Sequence, residues 1–358
     1  RIFEFACTKD YSEGMVQTGD YRHGIFFFLL CVCFVFPGLT GCGRMPTGAR
    51  EALEDHRTSR SAFVLALAGD VLLSPNCSRR PLAELECDNC GYGDLMRPAR
   101  SFLKGADAAF CNLESPLSMR GTAVPGKLWN FRAAPHAVKA LTESGFNVVS
   151  VANNHILDYG SDAFADTLSH LERAGIRYTG VSADGEQQNS VVIEAKGVRI
   201  AFLAYANVYP ADYYHVPLRP VRATRERVRR DIAQAKEQAD HVIISIHWGM
   251  EYKAEPDPEQ ISLAHFMIDE GASVVAGHHA HVLQDPEYYR GGVIFYSLGN
   301  FLFMQGRLRT PETRVYALFL NKDAIVRVSY IPFDLKVNPW RMVYTPFSRR
   351  AWRFPEAH

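Results

Sequence analysis

The 358-residue chain has no excess of charge of either sign: 39 lysines and arginines stand against 39 aspartates and glutamates. A formal net charge of zero provides no long-range field to draw in polyanions, which argues against a nucleic-acid partner. The densest basic stretch, Arg222 to Arg230, reads as the solvated face of a helix. The chain also lacks an apolar run of membrane-spanning length, since its longest, Ile25 to Phe36, is too short to cross a bilayer comfortably. It has no internal repeat, and it lacks a second cysteine pair with a two-residue gap. Cys87-Asp-Asn-Cys90 has the two-residue gap of a zinc half-site without the partner pair that a zinc knuckle needs. What is left is the profile of an ordinary folded protein, 47% hydrophobic and 22% charged.

The short apolar run has a different use. Arg22 and His23 precede it and Leu39-Thr40-Gly41-Cys42 follows, so charge, apolar core and small-residue cleavage site occur in the order of an export signal. The tetrapeptide resembles the lipobox of bacterial lipoproteins, whose cysteine is acylated and becomes the first mature residue. The expectation is an exported protein, anchored by lipid at Cys42 to the membrane at the cell envelope, with Met15 as a plausible start. Residues 1–41 would be upstream residues and signal peptide, 42–61 a polar tether, 62–335 the folded domain and 336–358 a tail with no clear period. Export favours disulfides, here Cys77 with either Cys87 or Cys90. Cys111 sits inside an apolar run and reads as a buried small hydrophobe.

From Phe63 onward short apolar strands alternate with amphipathic helices, which predicts an α/β layer structure with mainly parallel pairing. Strands are expected over Phe63 to Ala68, Ala108 to Asn112, Val148 to Ala152, Ile200 to Tyr205, His241 to Ile246, Ser273 to Ala276 and Val293 to Ser297. Helices are expected over Pro135 to Ser144, Asp162 to Ala174, Thr224 to Gln238 and Pro258 to Glu270, several with a glycine stop. Hairpins across Lys196-Gly197 and Asn321-Lys-Asp323 make the sheets mixed.

The chemistry gathers where those strands stop. In open α/β sheets ligands bind beyond the carboxyl ends of the strands, so polar residues left there by several strands converge. Asp70 after Gly69 and Glu114 after Asn112-Leu113 offer two hard oxygen donors from separate strands, which suits a divalent cation. Asn153-Asn154-His155 follows a buried strand, where an amide oxygen can ligate and an imidazole can move a proton near neutral pH. Asp158, three residues on, would either orient that ring or cap the next helix. His247 closes another strand, with Glu251 in the loop beyond it. His278-His279-Ala280-His281 is the most specific signal: His279 and His281, two apart on an extended segment, would project to one side. Ser297 and Asn300 follow a further strand, either over a substrate or within a structural turn.

These motifs in this order resemble the CapA-type poly-gamma-glutamate capsule biosynthesis family, whose fold is similar to that of the calcineurin-like metallophosphoesterases. The matching text is Ala68-Gly-Asp70, Asn112-Leu-Glu114, Val151-Ala-Asn-Asn-His155-Ile-Leu-Asp158-Tyr-Gly160, His247-Trp-Gly-Met-Glu251-Tyr252, Gly277-His-His-Ala-His281-Val-Leu-Gln284 and Tyr296-Ser-Leu-Gly-Asn-Phe301. The resemblance implies a four-layer α/β/β/α sandwich with mixed sheets and one or two divalent ions, manganese, zinc or iron. Asp70, Glu114, Asn154, His247, His279 and His281 would be the ligands. His155 and Asp158 would be catalytic, and Asn153, His278, Glu251, Ser297 and Asn300 would face the substrate, an anionic polymer or phosphoester. It implies phosphoesterase-like chemistry, in which a cation activates water and neutralises charge while His155 protonates the leaving oxygen. Attack on a gamma-glutamyl amide would use the same groups. The alternative is a non-catalytic surface scaffold for polymer synthesis, attachment or export. The chain departs from the family pattern at Ala280, where proline is usual, and at Met304, where an acid commonly stands. It departs from the wider phosphoesterases at Leu72, where they have a ligand histidine.

Overall fold

A computed structural model of the protein describes residues 61–74, 92–183, 188–208, 216–303, 311–337 and 340–344. The expectations for the signal segment, Cys42, the Cys77 disulfide and Met304 lie outside the described residues. Strand β1 (Phe63–Val71) runs parallel to β2 (Ala108–Leu113), β2 to β3 (Val148–Ser150) and β3 to β4 (Arg177–Thr179). A two-residue ribbon joins β5 (Val181–Ser182) to β8 (Arg219–Pro220). The expected hairpin over Lys196-Gly197 is β6 (Val191–Ala195) against β7 (Val198–Ala206). Parallel pairing then carries β7 to β9 (His241–His247), β9 to β10 (Val274–His278) and β10 to β12 (Gly292–Phe295), with β11 (Glu287–Tyr289) antiparallel at the edge. The chain returns to the first sheet through β13 (Asn300–Leu302), parallel to β1, and β14 (Glu312–Leu320), antiparallel to it. The second expected hairpin, β14 with β15 (Ile325–Val337), forms across Asn321 to Asp323. Part of the tail adds a strand, β16 (Trp340–Tyr344), on β15.

Two sheets result, of eight and six strands, both mixed as the hairpins predict and two in number as the resemblance implies. Their facing sides share one apolar layer: Phe63, Leu65, Leu67 and Phe110 from the first meet Ile200, Phe202, Ile243, Val274 and Phe295 from the second. Phe110 stacks on Phe202 across the gap, with ring centroids 5.6 Å apart. The other face of the first sheet packs on α1 (Val138–Ser144) and α2 (Gly160–Arg173), through Leu141, Phe164, Leu168 and Leu171. The other face of the second packs on α3 (Arg225–Lys236) and α4 (Pro258–Asp269), through Val228, Ile232, Leu263 and Met267. The order is therefore helix, sheet, sheet, helix, the four-layer sandwich. Central strands covered on both faces need apolar residues at every position rather than alternate ones, and β9 is buried along its whole length.

Local chemistry sets the helix ends. The capping box of α4 pairs the Asp257 carboxylate with the Gln260 N–H and the Gln260 side chain with the Asp257 N–H, before Pro258. Gly145 takes φ +108° to end α1 in a left-handed cap. The segment expected as one helix from Pro135 opens as a 3-10 turn over Pro135–Ala137. The basic run lies mostly on α3, where Arg229 pairs with Glu270 and Arg225 covers the Phe266 ring.

Candidate metal centre at the strand ends

Register brings the first three oxygen-bearing residues abreast: Asp70 stands opposite Asn112 on β2 and opposite Asn300 on β13. The β1–β2 register shifts between Leu67 and Asp70, an irregularity of the kind that re-aims a side chain at the end of a strand. Gly69 lies within the shift. A Cβ there would lie 1.9 Å from the Gly299 carbonyl oxygen, so the requirement is close approach of two backbones. Gly277 repeats this on the second sheet, where a Cβ would lie 2.0 Å from the Tyr296 carbonyl oxygen.

Asn112, which the sequence reading left without a role, is the centre of the polar network. Its amide nitrogen donates toward Asp70 Oδ1 at 2.9 Å, Glu114 Oε2 at 3.2 Å and His247 Nδ1 at 3.4 Å, and its oxygen accepts from Asn153 at 3.0 Å. Asp70 further accepts from His278 Nδ1 at 2.8 Å and from the His279 N–H at 3.2 Å. His247 Nε2 lies 2.9 Å from Asn154 Oδ1 and 4.0 Å from Glu114 Oε1. First-sheet carboxylates and amides thus interlock with second-sheet imidazoles.

The His278-to-His281 segment converges, but not as an extended strand. His279 and His281 take φ of 89° and 56°, in the left-handed region, because β10 ends at His278 and the chain bends sharply. Such conformations persist in non-glycine residues where the surroundings fix them, and they cluster at functional sites. The two rings lie 6.0 Å apart, and that of His279 is 4.7 Å from His247. The His281 Nδ1–H donates to Asn300 Oδ1 at 2.8 Å, which fixes that ring and leaves Nε2 3.7 Å from Glu114 Oε1. Among the described residues two sets could hold an ion: Asp70, Glu114 and His281, all buried, and Glu251, His279 and His281, of which Glu251 is exposed.

Burial governs the electrostatics. Desolvation raises Glu114 well above the ordinary glutamate range and the nearby Asp70 charge adds to it. Desolvation alone would raise Asp70 too, but its hydrogen bond to His278 and the charges of His278 and His281 bring it below its usual value. Burial, reinforced by the neighbouring imidazoles, lowers His247 well below the histidine range, and burial with the His281 charge brings His279 to about 3. Neutral imidazoles are the form that ligates metals. Glu114 Oε1 and His279 Nδ1 are buried without a hydrogen bond. A carboxylate oxygen without a donor, beside a second carboxylate and the neutral imidazoles of His247 and His279, is the arrangement a divalent cation satisfies.

His155 follows the same strand end as Asn154. Its Nδ1 lies 2.7 Å from Asp158 Oδ2, and α2 has no side-chain cap, so of the two roles open to Asp158 the orienting contact is the one formed. Asp158 also accepts from the Phe131 N–H at 2.7 Å and from Lys127. Burial lowers His155, against the hydrogen bond and charge of Asp158. The Phe131 ring lies 4.5 Å from the His155 ring, and the Phe303 ring 4.5 Å from that of His281. Both phenylalanines pack with Leu72 in a small apolar cluster.

The remaining expected residues are near but turned inward. Asn153 is fully buried and donates to Asn112 and to the Leu113 carbonyl, while its oxygen accepts the His155 N–H at 3.1 Å. His278 is fully buried behind Asp70. Ser297 Oγ accepts the Gly299 N–H at 3.2 Å, the structural turn. Lys127 was missed outright, because a lysine in a polar loop carries no periodic or strand-end signal. Cys111 is buried with a free thiol, as expected.

The model of the family "Bacterial capsule synthesis protein PGA_cap" matches residues 64–305, which span every cluster described above. The capsule biosynthesis protein CapA of Bacillus anthracis is 30% identical over 291 residues, 78% of this chain and 69% of that protein. The PGA biosynthesis protein CapA of Bacillus subtilis (strain 168) is 29% identical over 314 residues, 86% of this chain and 78% of that one. Among solved structures, the 5'-nucleotidase from Candida albicans superposes with a TM-score of 0.46 at 14% identity, covering 77% of this chain and 52% of that one. The match over more than half of its length makes the chain a member of the bacterial capsule synthesis protein PGA_cap family.

Proposed function

We propose that this protein is an exported lipoprotein of capsule or poly-gamma-glutamate biosynthesis whose strand-end centre is a metal-dependent hydrolase site acting on a phosphoester or related anionic substrate. The observation that carries the reading is Glu114 Oε1, buried without a donor 3.7 Å and 4.0 Å from imidazole nitrogens on His281 and His247. Asp70, Glu114, Asn154, His247, His279 and His281 would hold the cation. A divalent cation supplies charge neutralisation and water activation at neutral pH. Asn112 and Asn300 keep the ligands in register through the hydrogen bonds they make. His155 donates Nδ1–H to Asp158, which frees Nε2 to exchange a proton with the reacting oxygen. Glu251, the exposed member of its set, faces solvent where a substrate enters.

Among the described residues no helix is long and apolar enough to cross a membrane, and the membrane attachment proposed here rests on Cys42 alone. Labelling with a palmitate analogue should mark the wild type and not Cys42→Ala. For the site, the purified soluble domain should retain a divalent ion and hydrolyse at least one member of a phosphodiester and gamma-glutamyl peptide panel. A metal-free, inactive domain that still bound polymer would overturn the enzymatic reading and support the scaffold.

A further inference from the structure

The loop between β2 and α1 is fastened to the His155–Asp158 pair at three points. The Val124 N–H donates to the Asp158 carbonyl at 2.9 Å, the Phe131 N–H to the Asp158 carboxylate at 2.7 Å, and Lys127 to the same carboxylate. Between those anchors Asn130 ties the loop to itself, donating to the Val124 carbonyl at 3.1 Å and the Lys127 carbonyl at 3.3 Å. Lys127 therefore enters the site from a braced turn, with its side chain 16% exposed. Its ammonium also donates to the Asn154 carbonyl at 2.6 Å and lies 3.4 Å from His155 Nδ1.

From this geometry we infer that Lys127 is a positioning residue for two functional side chains at once. By holding the Asn154 carbonyl it fixes the backbone that aims the Asn154 amide at His247. By occupying Asp158 Oδ1 it leaves Oδ2 to His155 and the Phe131 N–H. An ammonium has only donors, so it cannot accept the Nδ1 hydrogen, whereas the Asp158 carboxylate can. The hydrogen on His155 Nδ1 then points to Asp158, and the ring is locked in the tautomer whose Nε2 is bare. The inference deepens the proposed hydrolase reading and relies on it only for the kinetic part of its test.

Lys127→Met keeps the aliphatic length and removes the three donors. In the full-length protein assayed with manganese and bis(p-nitrophenyl) phosphate, kcat should fall by roughly 10- to 100-fold with KM little changed, the range for lost partners of catalytic groups. Manganese affinity should fall by about tenfold on the same ground. Imidazole nitrogen shifts should change His155 from a single tautomer to a mixture. Lys127→Arg should restore part of each, and Leu128→Ala, at a neighbouring position 84% exposed, should change none. A Lys127→Met protein with lowered melting temperature but unaltered kcat, manganese affinity and tautomer signature would overturn the assignment. If the wild type binds manganese and hydrolyses nothing, the hydrolase reading fails. The affinity and tautomer measurements then still decide the role of Lys127.

Discussion

The two sheets bring different chemistry to the same crevice. The first supplies oxygen: the carboxylates of Asp70 and Glu114 and the amides of Asn112, Asn154 and Asn300. The second supplies nitrogen: His247 at the end of β9, His278 at the end of β10, and His279 and His281 just beyond. Neither half is a site alone. Carboxylates buried together without a cation repel, and imidazoles bring no negative charge to attract one. The cross-sheet hydrogen bonds from Asn112 to His247 and from His278 to Asp70 are the seam, and a divalent cation would join the halves there.

Removing one donor from either half should have the largest effect. Glu114→Gln on the oxygen side and His279→Ala on the nitrogen side should each lose bound metal and activity together, measured by elemental analysis after gel filtration. Normal metal content in His279→Ala would break the symmetry of the two halves. Next in size is the apolar layer that holds the sheets face to face. Phe110→Ala removes the ring stacked on Phe202 and should cost about 3–5 kcal/mol in a urea titration. A cost below about 1 kcal/mol would mean the layers are not bound through that contact.

The backbone contacts beside the site come third. Gly277→Ala puts a Cβ 2.0 Å from a carbonyl oxygen, and neither backbone can yield as a flexible side chain would. The expected loss is about 1–3 kcal/mol of stability, with a fall in metal affinity as β10 and its histidines shift. Unchanged affinity would show that the imidazole half tolerates displacement.

The smallest effect is a pH slope. Glu114 keeps its proton in the metal-free fold to higher pH than in the unfolded chain. Its contribution to metal-free stability is therefore present below the ordinary glutamate range and lost as pH rises through the raised value. A cation expels that proton, so affinity should climb with pH across the same window, by up to about tenfold per unit. His279, held at about 3, is neutral from about pH 5 upward and adds no slope. Calorimetric titration with manganese at several pH values would sharpen or remove the distinction between the two halves.

Much of the fold was readable because each central strand is buried on both faces and stops at a polar cluster. The hairpins announced themselves through Lys196-Gly197 and Asn321 to Asp323. What escaped were features without a local pattern. The β5–β8 ribbon has two residues on each side, and β16 lies in a tail whose arginines and aromatics do not alternate. In the site, the donor residues at strand ends were visible as residue types, while Asn112 stood in a quoted motif without a role and Lys127 carried no signal. Their importance lies in what they touch.

The sequence by itself settled the α/β class, the family resemblance and the inventory of donors, since hydrophobic period and strand-end motifs are local properties; the four-layer order came only as what that resemblance implied. Only the tertiary structure decided how those donors are used. The bend at His279 and His281, the inward turn of Asn153, His278 and Ser297, and the apolar cluster around Leu72 depend on residues far apart in the chain meeting at close quarters. A side chain's role at a buried site is set by which partner occupies each of its polar atoms, and that assignment exists only once both sheets have packed.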